Sequence, residues 1–267
     1  MYFTVYLFIG AFSGLLAGTL GIGGGVIIVP ALAATFVHYA VMPPEYVMQM
    51  AIGTSLAALV VTLLVSLRVH MLRGAVQWHI VRQLLPGLLV GILAGAMLAQ
   101  HLPSVYLRVF FSLFLFYIAI HLLRHRAVSS DSQTHQLPSR STLALSAGAI
   151  GLLSGILGIG GGVMMIPFLL RCQLSLREAT GSSVACGVCI SVFAAVSFMV
   201  LGSSSASHLA WSTGFVYWPA FLGIAVTSMI FAPLGAAIAY RLPTSVLKRV
   251  LAIFLLLVAM DMALPNM

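Results

Sequence analysis

The chain has 267 residues, 61% of them hydrophobic and only 6% charged, with a formal net charge of +8. That much apolar surface excludes a soluble globular domain, so the solvent must be lipid. The positive charge does not make a nucleic-acid binder, because the 12 Lys and Arg cluster at the ends of apolar segments, where membrane proteins keep their cytoplasmic charges.

The first apolar run, residues 2–37, would be about 52 Å long as one helix, against a hydrocarbon core of about 30 Å. It must break, and the breaker is the cluster Gly21, Gly23, Gly24 and Gly25. The run therefore reads as a helical hairpin with that cluster at its tip, closed by a turn through Pro43 and Pro44. Apolar helices are expected next at about 47–67, 80–100 and 104–123. A polar stretch rich in Ser, Gln and His then interrupts the chain. The second half repeats the plan, with a hairpin over 142–170 and helices near 179–201, 212–239 and 244–262. No basic n-region precedes the first segment, so no cleaved signal peptide is expected.

The two halves are copies. Gly14 to Pro30 (GLLAGTLGIGGGVIIVP) returns as Gly151 to Pro167 (GLLSGILGIGGGVMMIP), and Gly53-Thr54-Ser55 returns as Gly181-Ser182-Ser183. Their charge bias is opposite. Arg68, Arg73 and Arg82 flank a connection in the first half whose second-half counterpart, 202–212, has no Lys or Arg. Arg171, Arg177, Arg241, Lys248 and Arg249 mark second-half connections whose first-half counterparts lack them, Arg108 apart. Basic residues face the cytoplasm, so the copies insert in opposite directions. The fold class is an all-α polytopic membrane protein of two inverted-topology repeats, each a Gly-broken helical hairpin plus three transmembrane helices. Residues 1–124 form repeat 1, 125–141 a cytoplasmic linker and 142–267 repeat 2.

Inverted repeats with interrupted helices point to a secondary transporter with its site at mid-membrane, between the halves. Backbone freed by glycine at that depth cannot face lipid, which leaves it unpaired, but it can line a water-filled cavity. Each hairpin's second helix begins at the break, so its free amides and positive dipole end meet there and suit a small anion. The candidate substrate-binding residues are Gly21, Gly23, Gly24, Gly25, Gly158, Gly160, Gly161 and Gly162, with Gly53, Thr54, Ser55, Gly181, Ser182 and Ser183. The hydroxyls of this second group either bind an oxyanion or cap the helix after each hairpin.

Other constellations are weaker. Gly87, Gly91 and Gly95 read as a helix-packing seam. Cys186 and Cys189 form a C-x-x-C whose first-half counterparts are Ala58 and Val61, so the pair lies outside the repeated design and reads as small apolar packing. No metal site, no cofactor and no catalytic residue is expected. The only acids are Glu45, Asp131, Glu178 and Asp261, none mid-helix, which argues against a buried carboxylate relay.

The doubled glycine break, the two prolines and the doubled Gly-(Thr/Ser)-Ser together resemble the sulfite exporter TauE/SafE family of membrane permeases, across essentially the whole chain. The resemblance implies a multi-pass permease of a bacterial-type inner membrane that moves small sulfur-containing anions such as sulfite or organosulfonates. Its partners would be that anion and membrane lipid, with no nucleic acid. Alternating access between the repeats is the expected mechanism, and a membrane thiol-redox relay or an anion channel are the alternatives. The resemblance fixes the class and not the substrate, direction, coupling ion or oligomeric state, a homo-oligomer included.

Overall fold

The computed structural model describes residues 2–20, 23–124, 139–203, 209–239 and 244–263. Helices carry most of them: α1 (Tyr2–Leu20), α2 (Gly25–His38), α3 (Val47–Leu72), α4 (Trp78–His101), α5 (Ser104–Arg124), α6 (Arg140–Leu157), α7 (Gly162–Arg171), α8 (Leu176–Leu201), α9 (Trp218–Ala239) and α10 (Thr244–Ala263). The segments expected from hydropathy and breakers are thus present, in an all-α polytopic membrane protein. Among the described residues, five helical stretches are long and apolar enough to cross a membrane: Pro44–Leu72, Trp78–His101, Ser104–His121, Leu176–Leu201 and Trp218–Gly235. With 14 and 10 residues, α2 and α7 reach only about 21 and 15 Å. Neither crosses a hydrocarbon core alone.

Local chemistry sets the boundaries. Ser175 and Glu178 form a reciprocal capping box that starts α8, and Ser139 accepts from the Thr142 amide to start α6. The helix expected from residue 212 starts instead at Trp218. Ser212–Thr213 (β1) pairs antiparallel with Val216–Tyr217 (β2), because Gly214 at φ 55 turns the chain back on itself. Pro219, in the first turn of α9, needs no hydrogen-bond acceptor there.

Glycines place helix against helix. Gly87, Gly91 and Gly95 on α4 meet, in that order, Ala144, Gly148 and Leu152 on α6, so the two run parallel at backbone contact. Gly10 and Gly14 on α1 meet Ile224 and Ser228 on α9 in the same parallel sense. In contrast, Gly53 near the start of α3 lies against Phe198 near the end of α8, while Gly181 near the start of α8 meets Ala75 just beyond α3. Helices α3 and α8 are therefore antiparallel. They form the centre, with α2 and α4 among the neighbours of one or the other, and α5 packs on α10. Exchanging α1–α5 with α6–α10 maps the pairs α1·α9, α3·α9 and α2·α3 onto α6·α4, α8·α4 and α7·α8.

The Arg-bearing connections also meet. Arg177 donates to the Arg73 carbonyl, and the Gln77 side-chain amide donates to Glu178 across 2.7 Å. At the opposite end, Gln49 donates to the Leu102 carbonyl at 2.8 Å and accepts from Ser104 at 2.8 Å.

Candidate functional site

Both glycine breaks lie beside the middle of α3. A Cβ on Gly25 would stand 3.0 Å from Leu59 Cδ1, one on Gly160 3.4 Å from the same atom, and one on Gly23 4.0 Å from Leu59 Cδ2. The breaks also touch each other, since a Cβ on Gly25 would lie 2.6 Å from the Gly158 carbonyl oxygen and 3.1 Å from Ile159 Cα. Glycine is required at this contact because any side chain would part the two backbones. Gly158 (φ 68) and Gly161 (φ 75) also hold left-handed conformations, as Gly23 does at φ 80. The tips are brought together as expected. Gly21 lies outside the described residues.

The two hairpins present the same amide pattern. In α2, the amides of Ile27 and Ile28 both donate to Gly24 O, at 3.0 and 2.9 Å. In α7, those of Met164 and Met165 both donate to Gly161 O, at 3.1 and 2.9 Å. Neither helix has a side-chain cap. The first-turn amides of Gly25, Val26, Gly162 and Val163 find no acceptor among the described residues. All four residues are buried. Buried helix ends are ordinarily capped, and these two carry unpaired donors and positive dipole ends into one place.

The Gly-(Thr/Ser)-Ser segments divide. They do not begin their helices, which start at Val47 and Leu176, so capping of those helices is ruled out. Thr54 Oγ1 accepts the Tyr217 amide and Ser182 Oγ accepts the Gln77 amide, each at 3.0 Å. Gly53 admits the Phe215 carbonyl and Gly181 the Ala75 carbonyl at equivalent places. These four residues form a doubled latch that holds the start of α9 against α3 and the start of α4 against α8. Ser55 does reach a tip, donating to Gly158 O across 3.2 Å. Ser183 is 1% exposed and its hydroxyl has no partner.

A water-filled cavity was expected at the tips, and among the described residues leucine side chains pack against them instead. Leu59, 0% exposed, lies against Gly23, Gly25 and Gly160, and Leu63 against Gly160. A cleft of about 120 Å³ opens instead beside α2, lined by Ile27, Pro30, Ala31, Ala34, Phe254 and Asp261 among others. It reaches Ile27, in the first turn of α2. Buried hydroxyls that the repeat pattern did not single out also surround the breaks. Ser13 Cβ lies 3.1 Å from a Cβ placed on Gly24, Ser154 Oγ 3.6 Å from one on Gly161, and Ser191 Oγ 3.2 Å from one on Gly160. Comparing α3 with α8 position by position would have exposed Ser191, which stands where the first half has Leu63. Cys186 and Cys189 are free thiols in α8, and Cys186 is buried.

Comparison with known proteins agrees with this architecture. The sequence pattern of the family described as "Sulfite exporter TauE/SafE" matches residues 6–262. A "Probable membrane transporter protein" of Haemophilus influenzae is 33% identical over 258 residues, covering 97% of each chain. The "Probable membrane transporter protein YunE" of Bacillus subtilis is 25% identical over 279 residues, covering 97% of this chain and 96% of its own. A "Probable membrane transporter protein" of Methanocaldococcus jannaschii is 24% identical over 247 residues, covering 92% and 90%. No solved structure matches. With ten apolar helices among the described residues, two facing glycine breaks and a family match over nearly its whole length, the chain belongs to the sulfite exporter TauE/SafE family and is a multi-pass membrane transporter.

Proposed function

We propose that this transporter is a permease for small anions, sulfite or an organosulfonate, working by alternating access between two inverted repeats. Residues 1–124 and 142–267 are the repeats, and 125–141 is the cytoplasmic linker. The observation that carries the proposal is the contact of the two glycine breaks, Gly25 against Gly158 and Ile159, beside the midpoint of α3, each break opening a buried, uncapped helix. Neutral amides and dipole ends attract an anion without holding it as a fixed cation would, which suits a solute that must be released.

Opposed orientation of the halves is supported by the antiparallel course of α3 and α8 and by the self-mapping of helix neighbours on exchange. The Arg-rich connections that meet at one end make that end cytoplasmic. Sulfite as a substrate rests on the family name, and organosulfonates share its oxyanion chemistry. The described acids, Glu45, Glu178 and Asp261, lie towards helix ends rather than between the tips. Export then needs no buried proton relay, since a negative interior expels anions by about 2.3 kcal/mol per charge per 100 mV. The binding set is Gly23, Gly24, Gly25, Gly158, Gly160, Gly161, Gly162, Ser55 and Ser183. Thr54, Ser182, Gly53 and Gly181 serve the latch.

The test is flux of radiolabelled sulfite, sulfoacetate and thiosulfate in proteoliposomes. The wild type should carry at least one of them saturably, with counter-transport. Gly23→Leu and Gly160→Leu should abolish the flux while the protein still elutes as a folded species. Normal flux in both variants would overturn the site, and unitary conductance steps in a planar bilayer would replace the carrier by a channel.

A further inference from the structure

The two halves do not treat their glycine tips alike. Counting from the latch, the α3 face that meets the tips carries Ser55, Leu59 and Leu63, and the corresponding α8 face carries Ser183, Gly187 and Ser191. Four-residue spacing puts each set along one side of its helix. Leu59 packs on the first tip, at Gly23 and Gly25, and with Leu63 it also lies against Gly160 of the second. Its counterpart Gly187 has no side chain, and a Cβ there would lie 2.7 Å from the Gly160 carbonyl. One turn further on, a leucine is replaced by a hydroxyl.

That hydroxyl is unusual in its surroundings. Serine and threonine in an apolar helix commonly donate to the carbonyl four residues back. Ser197 does so to Phe193, Thr180 to Leu176 and Thr62 to Ala58, at 2.7, 2.7 and 3.2 Å. Ser191 is 0% exposed and makes no such bond, nor any other. Its Oγ stands 3.2 Å from the place a Cβ on Gly160 would fill, next to the break that opens the ten-residue helix α7. The unpaired amides of Gly162 and Val163 begin that helix. Ser183, on the same side of α8, is also buried and unpartnered. Unmet buried donors are costly and rare, and beside Gly160 the Ser191 hydroxyl adds one to the two α7 amides.

Building on the permease function proposed above, we infer that its anion site is asymmetric: the oxyanion docks on the second tip, held by the α7 amides and by the hydroxyl of Ser191, which determines specificity. The first tip offers no such hydroxyl, because Leu63 stands on α3 where Ser191 stands on α8. Opening for transport then requires Leu59 and Leu63 to withdraw from beside the tips.

The test uses the full chain in proteoliposomes, with sulfite as the probe, or with sulfoacetate or thiosulfate if the wild type carries those instead. Ser191→Ala should raise the apparent KM about tenfold with little change in maximal rate, as loss of one hydrogen bond to a charged group would. Ser191→Thr keeps the hydroxyl and should restore the wild-type KM. Ser197→Ala, whose hydroxyl is satisfied within its own helix, should leave KM unchanged. If Ser191→Ala does not fold, Ser191→Cys, close in shape and a poorer donor, should raise KM in its place. A wild-type KM in the folded Ala or Cys variant, while Gly160→Leu abolishes flux, overturns the role of Ser191 and leaves the permease standing. Normal flux in Gly160→Leu and Gly23→Leu, or a wild type that carries none of the three anions, overturns both.

Discussion

The Ser55 hydroxyl donates to the Gly158 carbonyl across 3.2 Å, tying the central helix of the first half to the broken backbone of the second. The carbonyl belongs to a left-handed residue at the end of α6. Ser55→Ala should therefore lower stability by about 1 kcal/mol, the usual worth of a hydrogen bond in this setting. Thermal unfolding in detergent should register a fall of about 2–4 °C. An unchanged midpoint would mean that the carbonyl finds another partner.

The contact between the tips separates two kinds of glycine. Gly23→Ala meets only an ordinary van der Waals contact, Leu59 Cδ2 at 4.0 Å, and suffers its φ of 80. That strain is worth about 1–2 kcal/mol. Gly25→Ala meets the Gly158 carbonyl at 2.6 Å and must push two backbones apart, an overpacking cost of about 1–3 kcal/mol or more. Gly25→Ala should be the more destabilising of the two and should also lower flux. The reverse order in a thermal denaturation series would count against the apposed tips.

The latch makes a paired prediction. Thr54→Val and Ser182→Ala each leave a backbone amide, of Tyr217 or Gln77, without its acceptor. Each should cost about 1–3 kcal/mol. The two lie at opposite ends of antiparallel helices, so the double variant should show the sum within about 0.5 kcal/mol. Transport KM should stay near wild type in both single variants, whereas a role in substrate binding would raise it.

Orientation can be read by labelling. His79→Cys, at the start of α4 on the Arg-rich end, should react with a membrane-impermeant maleimide only from the cytoplasmic face. Trp211→Cys, 77% exposed near the start of β1, should react only from the other face. Labelling of both from one side would contradict the antiparallel course of the halves.

The buried thiol on the α7–α8 connection has its own signature. Cys172 is 2% exposed, and burial pushes its pKa up. The thiolate is the reactive form, so alkylation of the folded protein at pH 7 should be slow and should accelerate at a pH above that of an exposed thiol. The sign for stability follows from the raised folded-state value. The protonated thiol's contribution is complete below the unfolded-state pKa and is lost as pH rises through the folded one. A Cys172 that alkylates at neutral pH as fast as a free thiol would place it at the surface.

The glycine breaks were legible because Gly23 and Gly158 need φ values that few other residues tolerate, so their composition reports the backbone directly. Thr54 and Ser182 were legible as important through their duplication, but their task was not. A hydroxyl after a glycine suits a cap, a latch or a ligand equally well, and the Tyr217 and Gln77 amides decide between these from across the molecule. Likewise, nothing local marks Leu59 as the residue against both tips, since leucine is ordinary in a membrane helix.

The sequence by itself determined the helical segments, their breaks, the duplication and the opposite charge bias of the copies. Each depends on hydropathy, glycine or charge over a short window, and in lipid those local terms dominate. Which helix faces meet was decided only by the tertiary structure. Segments such as α3 and α8 are apolar all round and carry no stripe to mark an inward side. The meeting of Gly25 with Gly158, the packing of Leu59 against both tips and the solitary hydroxyl of Ser191 therefore emerge only once the helices are packed.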